Sequence, residues 1–276
     1  MSILGIILNS LLFVAKMIIG IMSGSLALLS DAYNSLTDIV SSVLIFVAVR
    51  ISQKKPDHNH PFGYHRAEPL VGVIVAIFAG ILGFEVLKSA IYNIMSPNPI
   101  TKGGWAISVL LISVVVKLFM ATYFTKKGDG LNSPAIKASG IDSRNDVFVS
   151  VVAIIGVLCS IYKLPIWDSI AAIVISFFIF YSAYELGIKN IDYLMGKAPS
   201  DKVVKRIEKK ALETKGVKGI NDVFAHYVGN FIHIEIHIEV DKNLPLKKAH
   251  DIGKKVQLAI ETMKNVDRAF IHIDPK

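Results

Sequence analysis

Six apolar stretches, at residues 3–22, 26–50, 69–95, 104–125, 136–162 and 166–188, constrain this chain more than any other feature. A bilayer core of about 30 Å takes roughly 20 apolar residues of helix to cross, and each stretch comes close to that length. With 53% hydrophobic residues, 19% charged residues and a mean hydropathy of +0.52, the chain is too apolar for an ordinary soluble domain of 276 residues. The runs therefore read as six transmembrane helices forming an all-α membrane domain over residues 1–195. The first run has no basic segment ahead of it and no small-residue cleavage pattern after it, so it is expected to stay in the mature protein.

Composition changes abruptly after "NIDYLMGKAPSDK", and residues 196–276 read as a separate, charge-rich domain. "DKVVKRIEKKALETK" predicts a helix, "VKGINDVFAHYV" a strand and "FIHIEIHIEV" a second strand with strict alternation. "LPLKKAHDIGKKVQLAIETMK" then predicts a helix and "RAFIHIDP" a last strand, giving the order αββαβ of a small α+β unit. The single cysteine, Cys159, lies in a span, which excludes an intrachain disulfide and a thiolate metal cluster.

The net charge of +8 does not point to nucleic acid, because the basic residues neither cluster with aromatics nor form a binding motif. They sort by side of the membrane instead. The loops at 51–68 and 126–137 hold Lys54, Lys55, Arg66, Lys126, Lys127 and Lys137, whereas the loops of the other side hold Lys102 and Lys163. The positive-inside rule then places both termini and the tail in the cytoplasm, as an even number of spans requires.

Ionisable side chains within a span cost about 2.5–3.5 kcal/mol each on insertion scales, so they usually face a cavity or a partner. Among them here are Lys16, Asp31, Asp38, Glu85, Lys88, Lys117, Asp142, Arg144 and Asp146. Glu85 and Lys88 have the spacing of an ion pair along one helix. Asp142 and Asp146 are one turn apart on one helical face, and like charges so placed are tolerable if a cation lies between them or one carries a proton. Asn34 and Asp38 repeat that spacing in the second span. Two helices, each with two oxygen donors at i, i+4, can close a tetrahedral shell around a divalent ion. The alternative for each pair is a helix-end cap or a solvated cavity wall. Asp31, off that i+4 pair, is either a supporting or proton-carrying group or a structural cap.

All eight histidines lie outside the spans. "KKPDHNHPFGYHRAEP" gathers Asp57, His58, His60 and His65 in a loop, either as a weak metal site or as a polar turn set by its prolines and glycine. In the tail, His237 lies on the polar face of its strand and His272 and Asp274 share a face of the last one. With His250, near the start of the second tail helix, they make a set suited to zinc-like ions.

These residues resemble the cation diffusion facilitator family of metal transporters along nearly the whole chain. The resemblance is carried by "SGSLALLSDAYNSLTD", "HPFGYHRAE", "IDSRNDV", "HIEVDKNLPLKKAH" and "IHIDP", in order and on the matching spans. It implies a homodimer that exports a divalent metal from the cytoplasm in exchange for protons by alternating access. Asn34, Asp38, Asp142 and Asp146 fall on the family's transport ligands. The tail matches its ferredoxin-like, metallochaperone-like dimerising domain, with His237, His250, His272 and Asp274 on ligand positions and Asn221 where a further histidine stands. In the loop, Asp57 and His60 match while the expected second histidine falls on Tyr64. Arg66 supplies the basic half of a lock between the third span and the tail; the acidic position falls near Met195, with Asp192 as a substitute.

Zinc exporters of the family commonly carry histidine where this chain has Asp142, and often where it has Asn34. One amide and three carboxylates form a hard shell, which favours Mn²⁺, with Zn²⁺ or Fe²⁺ as alternatives. No enzyme is expected: neither HExxH nor GxGD occurs, and no cofactor beyond the metal is called for. A metal-gated channel would use the same ligands and differ in its independence of a pH gradient.

Overall fold

The computed structural model describes residues 3–95, 99–130 and 134–276, apart from the side chains of residues 3, 4, 134–136 and 138. Among the described residues, six helices are long and apolar enough to cross a membrane. They are α1 (Ile3–Ser23), α2 (Leu26–Ser52), α3 (Ala67–Met95), α4 (Gly103–Gly130), α5 (Pro134–Ile161) and α6 (Ile166–Leu194). After them come α7 (Asp201–Leu212), β1 (Gly219–Val228), β2 (Phe231–Val240), α8 (Leu246–Glu261) and β3 (Val266–Pro275). The fold is thus an all-α membrane domain followed by an αββαβ domain. Internal contacts divide the chain into residues 1–46 with 72–187, and residues 47–71 with 188–276.

In the first unit, the joint between α1 and α2 is written in "SGS". Gly24 has a φ of +71°, a conformation that costs glycine little, and its N–H closes the end of α1 on the Gly20 carbonyl at 3.0 Å. Ser25 then caps α2, its Oγ accepting the Leu28 N–H at 3.1 Å. Asp168, in the first turn of α6, accepts the Leu26 N–H and the Ser25 hydroxyl, both at 2.6 Å. Small buried residues such as Ala27, Ala79, Ala106, Ala153 and Ala171 line the bundle core and let the helix backbones approach, as membrane bundles require. The apolar residues left outside, among them Leu11, Phe84, Val115 and Phe177, are exposed, as a surface that meets lipid requires.

In the second unit, β1 and β2 form an antiparallel hairpin across Gly229 and Asn230, and β3 pairs with β2 in parallel. A parallel pair needs a crossover, which α8 supplies. Ile232, Ile234, Ile236, Ile238 and Val240 are buried with Ile207, Ala211, Val256 and Ile260, so the apolar face of the sheet lies against α7 and α8. Each such isoleucine is worth about 1.5–3 kcal/mol of burial. Strand parity then puts Glu235, His237 and His272 on the opposite face.

Candidate metal centre

Helix α2 carries Asp31, Asn34 and Asp38 at successive turns, and α5 carries Asp142, Asp146 and Ser150. The structure brings Asn34, Asp38 and Asp146 together. Asn34 Nδ2 donates to Asp146 Oδ1 at 2.8 Å, and both residues are buried. Lys117, from α4, completes the cluster: its Nζ lies 2.5 Å from Asp146 Oδ2 and 3.2 Å from Asp38 Oδ2. The Lys117 side chain is 1% exposed, Asp146 9% and Asp38 27%, so the cluster opens on the Asp38 side. Asp142, one turn before Asp146, is exposed at its rim.

Two turns earlier on α2 the same arrangement recurs. Lys16 of α1 pairs with Asp31 at 2.9 Å, both fully buried, and donates to Ser35 Oγ at 3.2 Å. Ser150 of α5 donates to Asp31 at 2.8 Å. Asp31 is therefore the partner of a buried lysine rather than a helix cap. Beside Ser25, the carboxylate that caps α2 is Asp168, which sequence spacing does not reveal because the contact spans 142 residues. Lys16 and Lys117 were visible as charges in spans, but their partners were not.

In the loop between α2 and α3, the two oxygens of Asp57 are already engaged. Oδ1 accepts the N–H groups of Asn59 and His60 at 3.0 and 2.7 Å, and Oδ2 accepts the Tyr64 hydroxyl at 2.7 Å. The Tyr64 hydroxyl, first among these donors, holds the Asp57 carboxyl below the usual carboxylate range, while the same bond raises the Tyr64 phenol. His60 Nδ1 stands 3.6 Å from Asp57, its ring 4.1 Å from that of Tyr64. His58 is exposed. His65 faces Asp267 at 4.0 Å instead of joining Asp57.

In the αββαβ domain, His237, His272 and Asp274 have ligand atoms within 4.8 Å of one another. His237 pairs in register with His272, which places the rings 4.5 Å apart on the open face. Asp274 lies 3.3 Å from His272 and 3.7 Å from His237, and accepts a hydrogen bond from Asn221 at 2.8 Å. His250 does not join them. It is exposed on α8, and that helix packs against Ile271 and Ile273, the face of the sheet turned away from the histidines. The expected substitute Asp192 also has another partner: it pairs with Lys197, five residues on, rather than with Arg66. Glu85 and Lys88 do form their ion pair, at 3.8 Å.

Membrane-spanning helices that converge carboxylates on one buried point define an integral membrane transporter of cations. A model of the cation efflux transmembrane domain matches residues 2–195, and one of the cation efflux protein cytoplasmic domain matches residues 199–276. The chain belongs to the cation diffusion facilitator family, whose members export divalent metal ions. It is 37% identical to an uncharacterised transporter of Methanocaldococcus jannaschii over 99% of this chain and 96% of that one. It is 29% identical to each of two manganese efflux system proteins of Bacillus subtilis, MneS (94% of this chain, 89% of the relative) and MneP (99% and 95%).

Proposed function

We propose that this chain exports Mn²⁺ from the cytoplasm in exchange for protons, through a site made by Asn34, Asp38, Asp142 and Asp146. The observation that carries this reading is the gathering of Asn34, Asp38 and Asp146 at one buried point, with oxygen donors and no imidazole. Hard oxygen donors suit Mn²⁺, and two relatives are manganese efflux systems. Asp142, at the rim one turn away, supplies the third carboxylate when the metal arrives. Alternating access then turns the loaded site outward, where protons compete for the carboxylates and help release the metal.

Residues 1–195 form the transport domain and residues 196–276 a cytoplasmic domain that pairs two copies of the chain. Both termini are cytoplasmic by the loop charges, and the membrane is the cell membrane. His237, His272 and Asp274 hold a further metal in the tail, with His250 outside their reach within one chain. A metal held by Asp57 and His60 has to compete with the Tyr64 hydroxyl for Asp57 Oδ2.

Proteoliposomes loaded with a metal-sensitive dye test the activity. Mn²⁺ flux should rise with an imposed pH gradient and saturate, and Zn²⁺, Fe²⁺ and Cd²⁺ should compete less well than unlabelled Mn²⁺. Flux indifferent to the gradient would instead favour a channel, and preferential competition by Zn²⁺ a zinc exporter.

A further inference from the structure

We propose that Lys117 is a tethered cation of the transport site, whose ammonium holds Asp38 and Asp146 until metal enters and must withdraw for metal to bind. The inference rests on the assignment of that site and adds a residue that is not itself a ligand.

Three observations carry it. The Lys117 Nζ contacts both carboxylates, at 3.2 Å on Asp38 and 2.5 Å on Asp146, although it comes from α4, a helix that provides none of the four ligands. It also blocks coordination. Asp146 has Oδ1 engaged by Asn34 Nδ2 at 2.8 Å and Oδ2 by Lys117, so each of its oxygens already accepts a hydrogen bond. An ammonium has only donors, and cannot share those lone pairs with a metal ion or act as a ligand while charged. The cluster, finally, has a route for displacement: Asp38 is 27% exposed while Lys117 is 1% exposed, so a divalent ion meets Asp38 first and the lysine lies behind it. A flexible four-carbon stem lets the ammonium retreat.

Lys16 provides the contrast. Its pair with Asp31 is wholly buried on both sides, the carboxylate included, which is the arrangement of a permanent structural pair. Lys117 by comparison occupies the place of the substrate. It holds the α2 and α5 carboxylates in register before loading, and its competition lowers the apparent affinity by the fraction of time it is bound. A weaker hold on the metal eases release.

The test uses purified full-length protein with Mn²⁺ as probe, by calorimetric binding and by flux in proteoliposomes. Lys117→Gln should tighten binding at the site that Asp146→Ala abolishes by about tenfold, and lower KM and kcat together as release slows. Lys117→Arg keeps the charge and the fold but grips both carboxylates through a forked guanidinium, and should weaken binding by about tenfold. Unchanged affinity in either folded variant overturns the proposal, as does a Lys117→Gln affinity that falls in step with thermal stability. If Lys117→Gln does not fold, the Lys117→Arg result decides alone. Wild-type binding insensitive to Asp146→Ala would instead sink the site, and the role of Lys117 with it.

Discussion

One hydroxyl sets the character of the loop between α2 and α3. Tyr64 donates to Asp57 Oδ2 at 2.7 Å and closes the turn that a third metal ligand would otherwise complete. Tyr64→His removes that bond and adds an imidazole beside Asp57 and His60. Titration of Zn²⁺ into full-length protein carrying Asp146→Ala should then show one site more than the same protein with Tyr64 intact; equal stoichiometry would count against the loop as a latent site. Lys16 makes a second residue-scale case. Removing one partner of a buried ion pair leaves an uncompensated charge, at a cost of about 3–5 kcal/mol. Lys16→Met should therefore lower the melting temperature in detergent sharply, and Lys16→Met with Asp31→Leu should recover most of it. A double variant no better than the single one would show that Asp31 has another role. The four residues proposed for transport were legible as two pairs because helical spacing alone aligns Asn34 with Asp38 and Asp142 with Asp146. Lys16 and Lys117 were not assigned partners, since those depend on how α1 and α4 are rotated about their axes, which no spacing within one helix records.

Helix packing fixes that rotation, and α4 and α5 show how. Gly140 lies against the α4 backbone: a Cβ there would stand 2.8 Å from the Thr125 N and 3.0 Å from the Ala121 carbonyl oxygen. Gly140→Ala has to push the two helices apart, at a cost of about 1–3 kcal/mol, and they carry Lys117 and Asp146. Lower thermal stability and slower Mn²⁺ flux are expected together; a wild-type melting curve would contradict the close approach. In the sheet, β2 buries His233, whose imidazole is pushed below its ordinary value by burial, against the pull of Asp267 at 3.0 Å. The unfolded chain therefore binds a proton more readily than the fold, and stability falls as pH drops below about 6.5. Hydrogen exchange over 231–240 should show less protection at pH 5.5 than at 7.5, and His233→Phe should flatten the change. Strand alternation made His237, His272 and Asp274 readable as one face. It could not place His250, because which face a crossover helix covers is settled by the burial of Ile234, Ile236, Ile271 and Ile273 against it.

At the scale of the whole molecule, two different sets of polar side chains occupy separate units. The membrane helices gather two carboxylates around a lysine, with an amide donating to one of them, and the αββαβ domain gathers two imidazoles and a carboxylate. The spans and the order of elements were legible because bilayer thickness and strand alternation impose lengths and periods that few sequences meet by chance. The proposed transport turns on the first of these sets, and on Asp146 within it. The direct measurement is Mn²⁺ flux into dye-loaded proteoliposomes, at a fixed pH gradient, by the wild-type chain and by Asp146→Ala. Flux that falls to the level of protein-free vesicles, with the variant still folded, is the expected result; proton-coupled flux undiminished by the substitution would contradict the assignment of the transport site.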